Sequence, residues 1–163
     1  MPPEEASRPT VLITGSSGFL GQAIAEGLRE RYRVIGLDVM KPKQPVAGME
    51  TIEIDLTADD SVDAAVKEAA RQAGGPIASV IHLAAYYDTT GEENPKYEAV
   101  TVQGTRRLLE ALRAVGAEQF VFSSTLLVHA PSPAKGVRID EDSPIDPAWA
   151  YPRSKAVTEK LIA

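Results

Sequence analysis

T-V-L-I-T-G-S-S-G-F-L-G, Thr10 to Gly21, contains the turn on which the fold depends. Thr10 to Thr14 is a β-branched apolar run that ends at a glycine, as a buried strand should. A helical pattern follows from Gly18 to Arg31, with Leu20, Ile24 and Leu28 on one face. The glycines between them are spaced G-x-x-G-x-x-G. Gly15 allows a tight turn, Gly18 lets backbone approach a pyrophosphate, and Gly21 lets the helix pack on the strand. The start of that helix offers unpaired N–H groups and a positive dipole end to phosphates.

The same alternation continues outward. A second strand, Arg33 to Leu37, ends at Asp38, and a loop with two prolines and a glycine fills Val39 to Met49. Thr51 to Ile54 forms a third strand before Asp55. Thr57 is placed to cap a helix over about Ala58 to Ala73, whose first turn carries Asp59 and Asp60. Ala78 to Leu83 is a fourth strand and Gln119 to Ser123 a fifth, with one long helix over Pro95 to Val115 between them. A proline-rich loop then leads to a last helix containing Tyr151. Continuous apolar strands separated by helices mean parallel pairing with both sheet faces covered. The expected class is α/β, a doubly wound parallel sheet with five strands.

With 44% hydrophobic and 25% charged residues among 163, the chain has a core and is not disordered. A net charge of −6 gives no attraction to nucleic acid or an anionic membrane. The absence of cysteine excludes disulfides and thiolate metal sites, and no metal is expected. Met1 to Thr10 lacks a signal-peptide core, and no apolar run approaches the roughly 20 residues that span a bilayer. The expectation is a soluble cytoplasmic protein, with a disordered tail over 1–9 and one domain over 10–163.

Five further stretches carry chemistry. Asp38, 17 residues after Gly21, sits where a carboxylate accepts both hydroxyls of an adenosine ribose and repels a 2′-phosphate, which selects NAD over NADP. Asp55 and Leu56 hold the matching place on the third strand, where an adenine would lie; a purely structural role fits Asp55 equally well. Small residues in H-L-A-A, His82 to Ala85, let a cofactor pass over the sheet edge, and His82 itself reads as structural because no second ligand accompanies it. Ser123, Ser124 and Thr125 put hydroxyls at the carboxyl end of the fifth strand, facing the crevice. In A-Y-P-R-S-K-A, Tyr151 and Lys155 share a helix face. A nearby ammonium and a cationic nicotinamide would lower the phenol's pKa, and the phenolate could remove a hydroxyl proton as hydride leaves the same carbon. Pro152 then belongs in the first helical turn, where its missing N–H costs little.

Taken in order, T-G-S-S-G-F-L-G, Asp38, D-L at 55–56, H-L-A-A, Q-G-T at 103–105, F-S-S-T at 122–125 and Y-P-R-S-K resemble the extended short-chain dehydrogenase/reductase family, in particular its NAD-dependent nucleotide-sugar epimerases and dehydratases. The resemblance implies Tyr151 as acid/base, Lys155 on the nicotinamide ribose, Thr125 as the active-site hydroxyl and Ser124 beside it. It implies a pyrophosphate turn from Gly15, Gly18 and Gly21 with the backbone of Phe19 and Leu20. Leu83, Ala84 and Ala85 become the wall under the cofactor. Three features depart from the family pattern: Thr101 stands for the usual Asn, His129-Ala130 for Tyr-Gly, and Pro152 follows the tyrosine. The resemblance implies an N-terminal part of the fold, with the substrate domain absent, that binds NAD weakly and turns over no sugar nucleotide unaided. A homodimer through the Pro95–Val115 helix and the Tyr–Lys helix goes with it. The alternative functions are a non-catalytic NAD-binding redox sensor and a carbonyl reductase of non-sugar substrates.

Overall fold

The computed structural model describes residues 8–88, 90–132 and 134–163. Five parallel strands form one sheet: β1 Thr10–Thr14, β2 Arg33–Asp38, β3 Glu50–Glu53, β4 Ile77–His82 and β5 Phe120–Phe122. Their order is β3-β2-β1-β4-β5. The helices are α1 Phe19–Leu28, α2 Asp59–Ala73, α3 Gln103–Val115 and α4 Ala150–Ile162. The expected doubly wound parallel α/β sheet is thus the observed one.

β1 is buried along its whole length and pairs with β2 on one side and β4 on the other. Leu12, Ile35, Leu37 and Val80 pack beneath Val62, Val66 and Leu108 of α2 and α3, while Val11, Ile13 and Val34 face Ala25 of α1. The winding reverses around β1: one crossover runs to β2 and β3, the other to β4 and β5. The connections that leave the carboxyl ends of β1 and β4 therefore pass to opposite faces of the sheet and open a crevice there, with Thr14 paired to Leu37 on one side and His82 on the other.

Several local expectations change. Thr57 does not cap α2: Ala58 is the cap residue, and Thr57 instead gives its amide and hydroxyl to Asp55 Oδ1 at 2.8 and 2.7 Å. An acidic side chain two residues back competes successfully for a threonine. The long helix is broken by a π-helical turn over Tyr97–Val102 before α3 begins at Gln103. Gly104 is there for packing: a Cβ on it would lie 2.8 Å from Leu56 Cβ. Tyr151 is the second residue of α4 and Pro152 the third, so the proline sits in the first turn. Of the expected tail, residues 1–7 lie outside the described residues; Arg8 Nη1 donates to Arg29 O at 3.1 Å, and Pro9 O accepts from Arg33 N at 3.0 Å.

Candidate active site

The turn after β1 is built by sterics. Gly15 has φ +70°, and a Cβ on it would meet Ala84 N at 3.0 Å. A Cβ on Gly21 would lie 2.3 Å from Gly15 O, so α1 leaves the turn only because no side chain stands there. Gly18 is the cap of α1 and has an extended backbone, with no side-chain cap bond and no acidic residue in the first turn. The helix start is thus left for an outside anion. Phe19 and Leu20, 88% and 56% exposed, flank it. This is the cradle a pyrophosphate requires, and the residues present fit NAD.

Asp38 closes the next side. Its Oδ2 accepts from Ser17 N at 2.9 Å and its Oδ1 from Met40 N at 3.2 Å, while Ser17 Oγ donates to Met40 O at 2.5 Å. Each carboxylate oxygen retains lone-pair capacity for a ribose hydroxyl. Asp55 is exposed, and Thr57 holds its carboxyl below the usual range, chiefly through the hydroxyl and then the amide. Leu56 is buried against α3.

Ten of the sequence-predicted residues line one cleft of about 450 Å³: Gly15, Gly18, Phe19, Leu20, Gly21, Leu83, Ala85, Ser123, Tyr151 and Lys155. Tyr87 lines it too and was not predicted. It stands edge-on to Tyr151, ring centroids 5.0 Å apart, and Trp149 lies 5.6 Å from Tyr151 on another side. No spacing rule reaches Tyr87; its one signal is an exposed aromatic just past H-L-A-A. Ser124 and Thr125 do not line this cleft. Ser124 Oγ donates to Glu159 Oε1, and Thr125 Oγ1 accepts from Leu127 N at 3.3 Å, capping the 3₁₀ turn Leu126–Val128.

Lys155 is 2% exposed, and its Nζ donates to Ser123 O at 2.7 Å. It also lies 4.6 Å from the Phe122 ring centroid and 5.8 Å from that of Tyr151. Burial pushes its ammonium down to about 8. Tyr151 departs from the expected depression. Burial pushes its phenol up, and the neighbouring Tyr87 and Tyr97 hydroxyls add to the rise.

His82 is fully buried between Thr14 Oγ1, 2.6 Å from Nδ1, and Thr105 Oγ1, 2.9 Å from Nε2. Burial, helped by the Lys155 charge, holds it down to about 3, so the ring is neutral near pH 7. Thr101, in place of the expected Asn, is held at both oxygens: its hydroxyl accepts from Tyr86 N at 3.1 Å and its carbonyl from Thr105 Oγ1 at 2.6 Å. Among the described residues no group of three or more metal-ligating side chains gathers, and no helix is long and apolar enough to cross a membrane.

Residues 11–163 match the model of the NAD dependent epimerase/dehydratase family. The chain is 32% identical to mouse 3 beta-hydroxysteroid dehydrogenase type 7 over 171 residues, covering 98% of this chain and 46% of that protein. Among solved structures it resembles the Thermus thermophilus UDP-glucose 4-epimerase complex with NAD, at 32% identity and TM-score 0.79, over 94% of this chain and 49% of the other. It likewise resembles the Bordetella bronchiseptica enzyme WbmG in complex with NAD, at 25% identity and TM-score 0.79, over 99% and 51%. The chain thus spans about half the length of the relatives it matches.

Proposed function

The chain belongs to the NAD-dependent epimerase/dehydratase family, and from that premise we propose that it supplies the cofactor-binding and acid/base parts of an enzyme acting on a carbinol. The observation that carries the proposal is one cleft lined by Gly15, Gly18, Gly21, Ser123, Tyr151 and Lys155. The glycine turn and the open start of α1 take the pyrophosphate, and Asp38 takes the adenosine ribose. NAD held there would supply the acceptor for a hydride from the carbinol carbon. Tyr151 takes the hydroxyl proton as that hydride leaves. Because burial raises the phenol, positive charge has to favour its ionised form, and Lys155, one turn along α4, is the residue placed to supply it. Lys155 stays beside the cleft because Ser123 O anchors its Nζ. Thr125, with Ser124 beside it, is the hydroxyl site that the family resemblance implies for the substrate oxygen, although neither side chain lines this cleft.

Tyr87, edge-on, and Trp149, tilted, pack around the phenol and give it an aromatic surround, which suits a ring-bearing carbinol of the nucleotide-sugar kind. A homodimer through α3 and α4 belongs to the same reading. Calorimetry with NAD tests the cradle on this chain, and absence of heat at millimolar NAD rejects it. Tyr151→Phe in the full-length polypeptide tests the acid/base role. NADH formation should fall by about 10² to 10⁴ with NAD affinity retained. Unchanged turnover rejects Tyr151 as the base.

A further inference from the structure

We infer that His82 is a positioning residue: held as a single neutral Nε2–H tautomer, it sets the gap between the glycine turn and the Leu83–Tyr87 segment and carries that geometry to Lys155. Its functional weight rests on the reading of the cleft given above.

The polarity of each link is forced. The Thr105 hydroxyl has one proton, and its 2.6 Å contact with Thr101 O takes it, since a carbonyl can only accept. At its 2.9 Å contact with His82 Nε2 the same oxygen must therefore accept, so the ring carries its proton on Nε2. A neutral ring then leaves Nδ1 bare, and the Thr14 hydroxyl donates to it at 2.6 Å. Thr14 Oγ1 keeps a lone pair for the Ala84 N–H at 3.2 Å. Every donor in the run from Ala84 to Thr101 has one direction.

This run joins both rims of the cleft. At one end it pins Ala84 against Gly15, where a Cβ on the glycine would stand only 3.0 Å from Ala84 N. At the other end Thr101 Oγ1 receives Tyr86 N, which places Tyr87 against Tyr151. The His82 main chain adds a third arm: its O accepts from Ser123 N at 3.1 Å, and Ser123 O accepts from Lys155 Nζ. A ring that merely filled space would need neither tautomer nor direction.

Nitrogen-15 NMR of histidine-labelled protein reads the tautomer directly, and the wild-type chain should show protonated Nε2 and bare Nδ1. Thr105→Val keeps the shape but removes the acceptor. The proton should then move to Nδ1, the Ala84 and Ser123 amide resonances should shift, and NAD affinity should fall about tenfold. Thr105→Ser should restore all three. Protonated Nδ1 in the wild type overturns the inference, as do Ala84 and Ser123 amides unmoved by Thr105→Val. Should Thr105→Val not fold, the wild-type tautomer and Thr105→Ser decide. If the wild type gives no heat with NAD, the cofactor reading falls, while the imidazole and amide signals still decide the role of His82.

Discussion

Lys155 shows how a single residue carries a cost for function. Its ammonium is nearly removed from water and holds one carbonyl in exchange. Unfolded, it keeps its proton to about 10.5; folded, it releases it near 8. Between those values the unfolded chain binds more protons, so stability should rise with pH across this window and stay level below it. Urea unfolding at several pH values measures the rise. Lys155→Met should lack it, and an equal rise in both proteins would show that burial of Lys155 is not its cause. The lysine was legible from its spacing to Tyr151. Its anchor on Ser123 was not, because that contact joins residues 32 apart in the chain.

At the scale of elements, β2 and the turn after β1 fit through a missing side chain. Gly36 lies inside β2, and a Cβ on it would stand 2.5 Å from Ser16 Oγ and 2.8 Å from Ser16 Cβ. Gly36→Ala should therefore destabilise the chain by about 1–3 kcal/mol, the usual cost of overpacking. Ser16→Gly in the same protein should recover most of that loss, read from denaturation midpoints. Failure of the rescue would place the strain elsewhere. In sequence, Gly36 looked like an ordinary glycine within a strand. The three glycines of the turn declared themselves by spacing, because that motif recurs wherever a strand meets a phosphate-binding helix. The π-helical turn at Tyr97–Val102 gave no such sign, since its composition suits an α-helix equally well.

For the molecule as a whole, His82 ties acid sensitivity to the sheet centre. Unfolded, its imidazole binds a proton near 6.5; in the fold it does so only near 3. The unfolded chain therefore holds the extra proton between these values, and stability should be complete above 6.5 and fall as pH drops through the window. Asp55 and Asp88, both held below the carboxylate range by hydrogen bonds, add loss of the same sign at the acid end. His82→Gln should show a shallower decline than wild type in acid titrations of stability. An unchanged slope would remove His82 from the account.

Parallel pairing, the doubly wound class and the place of the crevice were determined by sequence alone, because hydrophobic period and glycine spacing are local and repeat for physical reasons. The same is true of the positions of Asp38 and of Tyr151 with Lys155, which stand at fixed points on that frame. Only the tertiary structure decided which hydroxyls and aromatics share the cleft. Ser123 lines it while Ser124 turns to Glu159, Tyr87 joins it, and the Thr101 hydroxyl accepts from Tyr86 N. Those outcomes depend on contacts between residues far apart in the chain. The direction of a buried proton, and the burial that raises the Tyr151 phenol and lowers the Lys155 ammonium, exist only once the layers have closed.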